Sequence, residues 1–215
     1  MLRSRRDPEP ASIRKPRSET VKSRLLPLLL EQVETRERIH VLDLGSGSQS
    51  TLNFFAGRNA AIHFVDLFSC DLVMNVPEEV NTAEACAQLE AYLRLPDGLV
   101  FDVCMLWDAL HYLPLDALQG LSRALAPHLG PGTLGYGFGS LHSGARSEEA
   151  GWQPKNEGCR YGIEDGSHLK LTGVERQGRY HAHTQQQLDE YFPALSIQKA
   201  TLLQEGRLEL LFARD

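Results

Sequence analysis

The sequence predicts a doubly wound α/β domain whose mostly parallel sheet is closed by a C-terminal antiparallel hairpin. Three observations predict it. Short apolar runs alternate with segments of helical periodicity, the pattern of parallel strands joined by crossover helices. The run Ile39–Leu44 ends in Gly-Ser-Gly-Ser, which reads as a buried strand followed by a tight turn. From Thr184 onward the order changes to helix, strand, turn, strand.

The elements follow in order. Val21, Leu25, Leu28, Leu29 and Val33 recur at helical spacing, so residues 18–36 are expected to be helical, with a kink or restart at Pro27. After the strand Ile39–Leu44 come a short helix over Ser50–Ala56 and a second strand, Ala61–Asp66. Asn81 and Glu84 are placed like a capping box for a helix running to Leu95, stopped by Pro96-Asp97-Gly98. Val100–Leu106 is the next buried strand. Leu118, Leu121 and Leu125 form one face of a helix over Leu115–Leu129, and Thr133–Phe138 is a further strand. Periodicity then fades over about 140–183, a stretch too long for a routine connection and expected to be a lid-like insertion. Thr184 with Gln187 opens the last helix, which Pro193 ends. Leu195–Leu203 and Arg207–Ala213 form the hairpin.

Composition narrows the setting. At 215 residues one core is well buried, whereas two would each be small. Asp plus Glu number 28 against 22 for Lys plus Arg, a net charge of −6, so nothing indicates a general nucleic-acid surface. Positive charge gathers in residues 1–17, where Arg3, Arg5, Arg6, Arg14, Lys15 and Arg17 mix with prolines. That segment is expected to be a disordered basic tail, suited at most to a protein partner; residues 18–215 form the domain. Leu25–Leu30 is too short to span a bilayer and is broken by Pro27. The Arg-rich start lacks the apolar core of a secretory signal. Cys70, Cys86, Cys104 and Cys159 show no C-x-x-C spacing, so reduced thiols, no metal site and a cytoplasmic setting are expected.

The turn Asp43-Leu44-Gly45-Ser46-Gly47-Ser48 carries the chemistry. Glycine lets a ligand approach the backbone, and the next helix offers free N–H groups. Asp66, ending the following strand, is placed to accept both hydroxyls of a ribose. Gly45-Ser-Gly47-Ser-Gln-Ser50 also approximates the dinucleotide fingerprint, with Ser50 in place of the last glycine, so a nicotinamide cofactor is an alternative.

Val41-Leu-Asp-Leu-Gly-Ser-Gly-Ser48 resembles the first motif of class I S-adenosylmethionine-dependent methyltransferases. Phe101-Asp-Val-Cys-Met-Leu-Trp-Asp-Ala-Leu-His-Tyr-Leu113 resembles that family's fourth strand and the turn after it, and Thr184–Arg214 its last helix and reversed seventh strand. The resemblance implies a Rossmann-like, seven-stranded sheet and S-adenosyl-L-methionine as cofactor. It implies that Asp43 helps hold the methionine ammonium, that Gly45, Ser46 and Gly47 pass close to the cofactor, and that Asp66 takes the ribose, followed by Leu67. Trp107 and Asp108 would lie against the cofactor and the substrate mouth. Asp71 or Asn75 would face the adenine. His111 is the candidate general base, with packing as its alternative role.

Absences narrow the acceptor. No Asn/Asp-Pro-Pro-Tyr/Phe tetrapeptide is present, Cys104 lies inside a buried strand, and no metal-ligand spacing occurs. What remains is a small molecule or a protein side chain, the small molecule favoured, methylated at oxygen or nitrogen by in-line transfer. The alternative is a partner subunit that binds the cofactor without turning it over.

Overall fold

β2 (Ile39–Asp43) lies between two parallel neighbours, β3 (Ala60–Phe64) and β4 (Phe101–Trp107), in a computed structural model that describes residues 18–75, 80–140, 157–203 and 207–214. The tail expected over residues 1–17 lies outside the described residues. β5 (Leu129–Gly139) continues parallel to β4. β9 (Leu208–Ala213) then runs antiparallel between β5 and β8 (Ser196–Leu202). The resulting order, β3-β2-β4-β5-β9-β8, is a Rossmann-like, mostly parallel arrangement closed by an antiparallel pair. The chain leaves β2 towards β3 and returns to β4 on the other side, so a crevice opens outside the carboxyl ends of β2 and β4.

Seven strands are expected, whereas the main sheet has six among the described residues. Beyond β3, Asp66 caps a 3₁₀ turn over Leu67–Ser69, and α3 (Asp71–Met74) follows. Leu72 and Val73 turn into the core there, and that burial favours a helical turn over a flat edge strand.

Alternation along the buried strands serves two cores. Leu42, Cys104, Leu106, Leu210 and Phe212 face a layer made by α4 (Thr82–Leu93), α5 (Leu115–Leu125) and α6 (Gln185–Tyr191). Val41, Val103, Met105, Leu134 and Leu211 face α1 (Leu26–Val33) and α2 (Gln49–Ala56). Caps set the helix starts. The Asn81 side chain accepts the Glu84 N–H at 2.9 Å, and Thr184 and Gln187 close a full capping box. No helix among the described residues is long and apolar enough to cross a membrane.

Two stretches depart from the sequence expectation. Ser18–Lys22 is strand β1, not helix, and the Ser23 hydroxyl accepts the Leu26 N–H at 2.9 Å to start α1 only there. Within the expected lid, β6 (Glu157–Ile163) and β7 (His168–Glu175) form a hairpin that β1 extends, in the order β1-β7-β6. Residues 141–156 lie outside the described residues. The described part is built into the second core, because Ile163, Leu169 and Leu171 are buried there with Leu26, Leu29 and Phe55.

Glu209 joins this cover sheet to the main one. Fully buried on β9, its carboxylate accepts the Arg24 and Leu25 N–H groups at 2.9 and 3.1 Å, and the hydroxyls of Ser23 and Tyr136. Four donors converge on one group at the β1–α1 junction. Glu209→Ala strands them all, so urea unfolding should show a loss of about 3 kcal/mol, the scale for removing one partner of a buried charged hydrogen-bond set.

Candidate active site

The crevice is built on Asp43, the last residue of β2. Buried to 1% exposure, its Oδ1 accepts the Gly45 N–H at 2.8 Å and the Trp107 indole N–H at 2.7 Å. Burial raises its pKa to about 6, against the pull of those two hydrogen bonds. Gly47 follows at φ +65°, a left-handed conformation that favours glycine. Ser48 then caps α2, accepting the Thr51 N–H at 3.2 Å. The turn therefore has the strand–turn–helix form expected of it.

Asp66 lies just past β3 and faces this turn. Its Oδ1 accepts the Ser46 hydroxyl at 3.3 Å and the Phe68 N–H at 3.2 Å; its Oδ2 accepts the Ser69 hydroxyl at 3.0 Å. The carboxylate is half-buried and open to the crevice side. Leu67 is placed differently from its expected contact role. Its side chain is buried in the core and its N–H is taken by the Leu44 carbonyl at 3.2 Å, so neither is available to a ligand. Asp71 and Asn75 are exposed and hydrogen-bond each other at 3.3 Å.

Trp107 ends β4 with φ +51°, strained for a bulky residue. Its ring stacks on Tyr161 of β6 with centroids 5.3 Å apart, and Tyr161 stacks in turn on Phe138 at 4.9 Å. The indole lies over Gly45: a Cβ built there would sit 2.7 Å from Trp107 Cδ1. Asp108 is buried next to it. The Tyr161 hydroxyl donates to its Oδ2 at 3.1 Å, while Oδ1 has no hydrogen-bond partner among the described residues. Burial raises the Asp108 pKa to about 6, offset in part by the nearby Arg176 charge.

His111 is corrected from candidate base to structural latch. Its Nδ1 accepts the His183 N–H at 2.9 Å, which puts the ring proton on Nε2, 3.1 Å from the Phe138 carbonyl. Its own carbonyl accepts the His181 N–H at 2.7 Å. Both ring nitrogens are thus spent on main chain. Burial, then the neighbouring His183, lowers its pKa to about 3. Such a ring takes no proton near neutrality.

Sequence reasoning missed Arg176. From the end of β7 it donates to the Ser46 hydroxyl at 2.9 Å and to the Cys159 carbonyl at 2.8 Å, with its guanidinium 3.4 Å from the Phe68 ring centroid. A lone arginine in a charged stretch carries no signal. Tyr161 carried one: Tyr161 and Ile163 alternate, Asp165-Gly166 follow, and Leu169 and Leu171 alternate again, a hairpin pattern. Among the described residues no group of three or more His, Cys, Asp or Glu side chains could hold a metal ion.

No protein-family profile matches the chain, and no curated protein matches it. Among solved structures it is similar to CalS10, an amino pentose methyltransferase from Micromonospora echinaspora, at 15% identity over 87% of this chain and 89% of that one, with TM-score 0.48. It is similar to the N-methyltransferase NodS from Bradyrhizobium japonicum at 12% identity, covering 88% and 93%, with TM-score 0.46. A third is the Burkholderia thailandensis 1,6-didemethyltoxoflavin-N1-methyltransferase, solved with S-adenosylhomocysteine, at 16% identity, 89% and 77% coverage and TM-score 0.49. The fold assignment itself rests on the strand order.

The His111 latch sets a pH dependence. The folded ring stays neutral to about pH 3, whereas an unfolded imidazole protonates near its ordinary 6.5. Its contribution is therefore complete above pH 6.5 and is lost as pH falls towards 3, at about 1.4 kcal/mol per unit. Asp43 and Asp108 act in the opposite sense. Raised to about 6, they bind protons in the fold between about pH 6 and their ordinary 3.8, so acidification there favours folding. Comparing wild type with His111→Asn isolates the first effect. From pH 7 to pH 4.5 the wild type should lose about 3 kcal/mol more unfolding free energy than the variant.

Proposed function

We propose that this chain binds S-adenosylmethionine in the crevice outside β2, β3 and β4 and methylates a small molecule at oxygen or nitrogen. The observation that carries this is the meeting of Asp66 with the glycine turn. A carboxylate at the end of β3, within 3.3 Å of the Ser46 hydroxyl on the adjoining turn, is what a ribose diol requires at a topological switch point.

Tested against the residues present, the two halves of such a ligand fare differently. The ribose half fits in residue type: Asp66 and Ser46 supply the oxygens a diol needs, with the Ser46 hydroxyl at present taken by Arg176. The methionine half is filled in this conformation, because the Trp107 indole covers Gly45 and has taken Asp43. Asp43, Gly45, Ser46, Gly47 and Asp66 are the residues that would hold the cofactor, with Trp107 displaced. When bound, that cofactor supplies a methyl group already activated on a sulfonium sulfur. What the chain must add is placement of the acceptor, worth effective molarities on the order of 10⁵–10⁸ M.

Asp108 replaces His111 in the proton-accepting role. Its free Oδ1 and the Tyr161 hydroxyl on Oδ2 give a fixed carboxylate beside the crevice, and its pKa near 6 leaves it mostly ionised at neutral pH, ready to accept a proton.

Calorimetry with S-adenosylhomocysteine tests the binding claim. Wild type should bind, and Asp66→Ala should weaken binding by about 1.5–3 kcal/mol, the scale for hydrogen bonds to a charged group; equal affinities would remove Asp66 from the site. Release of S-adenosylhomocysteine from S-adenosylmethionine in the presence of a small-molecule extract separates an enzyme from a silent partner.

A further inference from the structure

On the cofactor reading above, we infer that the crevice is held shut by the chain's own groups: Trp107 and Arg176 occupy the ligand's contacts, and a nucleoside ligand enters only when both swing out. The polar groups of the turn are already engaged. The Trp107 indole N–H and the Gly45 N–H share Asp43 Oδ1 at 2.7 and 2.8 Å. The Arg176 guanidinium donates to the Ser46 hydroxyl, which itself donates to Asp66. The Thr51 hydroxyl accepts the Ile163 N–H at 3.1 Å. Gly162 packs so tightly on the Ser48 and Ser50 hydroxyls that a Cβ there would collide with both. At three points on the turn, then, β6 and the residue just past β7 supply contacts that a ligand would otherwise make.

The stand-ins match the chemistry of what they displace. An indole N–H on Asp43 takes the place of an ammonium donor. A guanidinium on the Ser46 hydroxyl brings a donor to the place of ribose hydroxyls. Both are held from outside the turn: Trp107 by the stack on Tyr161, Arg176 by the Cys159 carbonyl and the Phe68 ring. Each also has a reason to leave. Trp107 holds a left-handed backbone at φ +51°, and the buried Arg176 Nε has no hydrogen-bond partner among the described residues. A protein whose competent form is a minor population binds with its affinity reduced by that fraction. Loosening the closed form therefore tightens binding.

Arg176→Ala leaves the glycine turn and Asp66 intact. Titrated with S-adenosylhomocysteine, it should bind about tenfold more tightly than wild type, as expected when the competent fraction rises. Weaker or equal binding by the variant would overturn the plug, weaker binding marking Arg176 as a ligand contact. A second measurement follows the indole itself, in a Trp152→Phe background that leaves Trp107 as the single tryptophan. Saturation with S-adenosylhomocysteine should shift its emission to the red and raise its acrylamide quenching. Calorimetric binding with unchanged emission would leave the cofactor site standing and end the plug. Absence of binding in wild type and variant alike would end both.

Discussion

A buried carboxylate shared between two segments governs the rest of the crevice. Asp43 ends β2 buried away from water, and among the described residues two donors reach it: the Gly45 main chain and the Trp107 indole. A carboxylate in that position is costly unless paired. The indole therefore has to point back across the sheet from the end of β4, and Trp107 takes a positive φ to do so. Once there, its outer face needs covering. Tyr161 and Phe138 cover it, and Tyr161 brings β6 over the start of α2. One buried acid thus links a strand end, a strained backbone, an aromatic stack and the position of a second sheet.

The main sheet was legible because its signals are local. Ile39–Leu44 and Val100–Leu106 are apolar runs bounded by turn residues, and burial on both faces demands that composition. Thr184 and Gln187 announced their helix through a cap that needs only four residues. β1 was read as helix because Val21 and Leu25 stand four apart. What makes Ser18–Lys22 a strand is β7, paired with it from far along the chain. The site divides the same way. Asp43, Gly47 and Asp66 announce themselves by motif and by strand order. The roles of Arg176, Tyr161 and His111 depend on which distant segment docks against them, and no spacing records that. The four-residue turn between Ile163 and His168 is the exception, since Asp-Gly between alternating apolar residues was visible and was passed over in favour of an irregular lid.

The two halves of the crevice also differ electrostatically. At the β3 end, Asp66 is half-buried and accepts from two hydroxyls and one main-chain N–H, so it can exchange one hydroxyl partner for another at small cost. At the β4 end, Asp43 and Asp108 are buried acids with raised pKa values, and each depends on an aromatic group, Trp107 or Tyr161, for a side-chain hydrogen bond. Removing either aromatic donor without replacement leaves a buried carboxylate short of partners, a change worth about 1–3 kcal/mol. A ligand entering this end must therefore bring a donor of its own. That requirement suits a cation or a hydroxyl and opposes a wholly apolar molecule.

The same energetics decide where the cover can move. Lifting the β1-β7-β6 sheet as a body would expose Ile163, Leu169 and Leu171, all within 1% of complete burial. At about 1.5–3 kcal/mol for each such side chain, that motion costs at least about 5 kcal/mol before any hydrogen bond is broken. It would also pull β1 against the Glu209 clamp. The contacts that close the crevice are of another kind: one indole, one guanidinium and the stretch that follows, which carries Ala182 at φ +48° and hangs on His111 by two main-chain hydrogen bonds. The hydrogen bonds among them are individually weak in net terms, about 1 kcal/mol each, although the buried indole adds its own burial to the cost of opening. The cover sheet is therefore the fixed wall of the crevice, and on the closed-crevice reading the parts that swing are the side chains of Trp107 and Arg176.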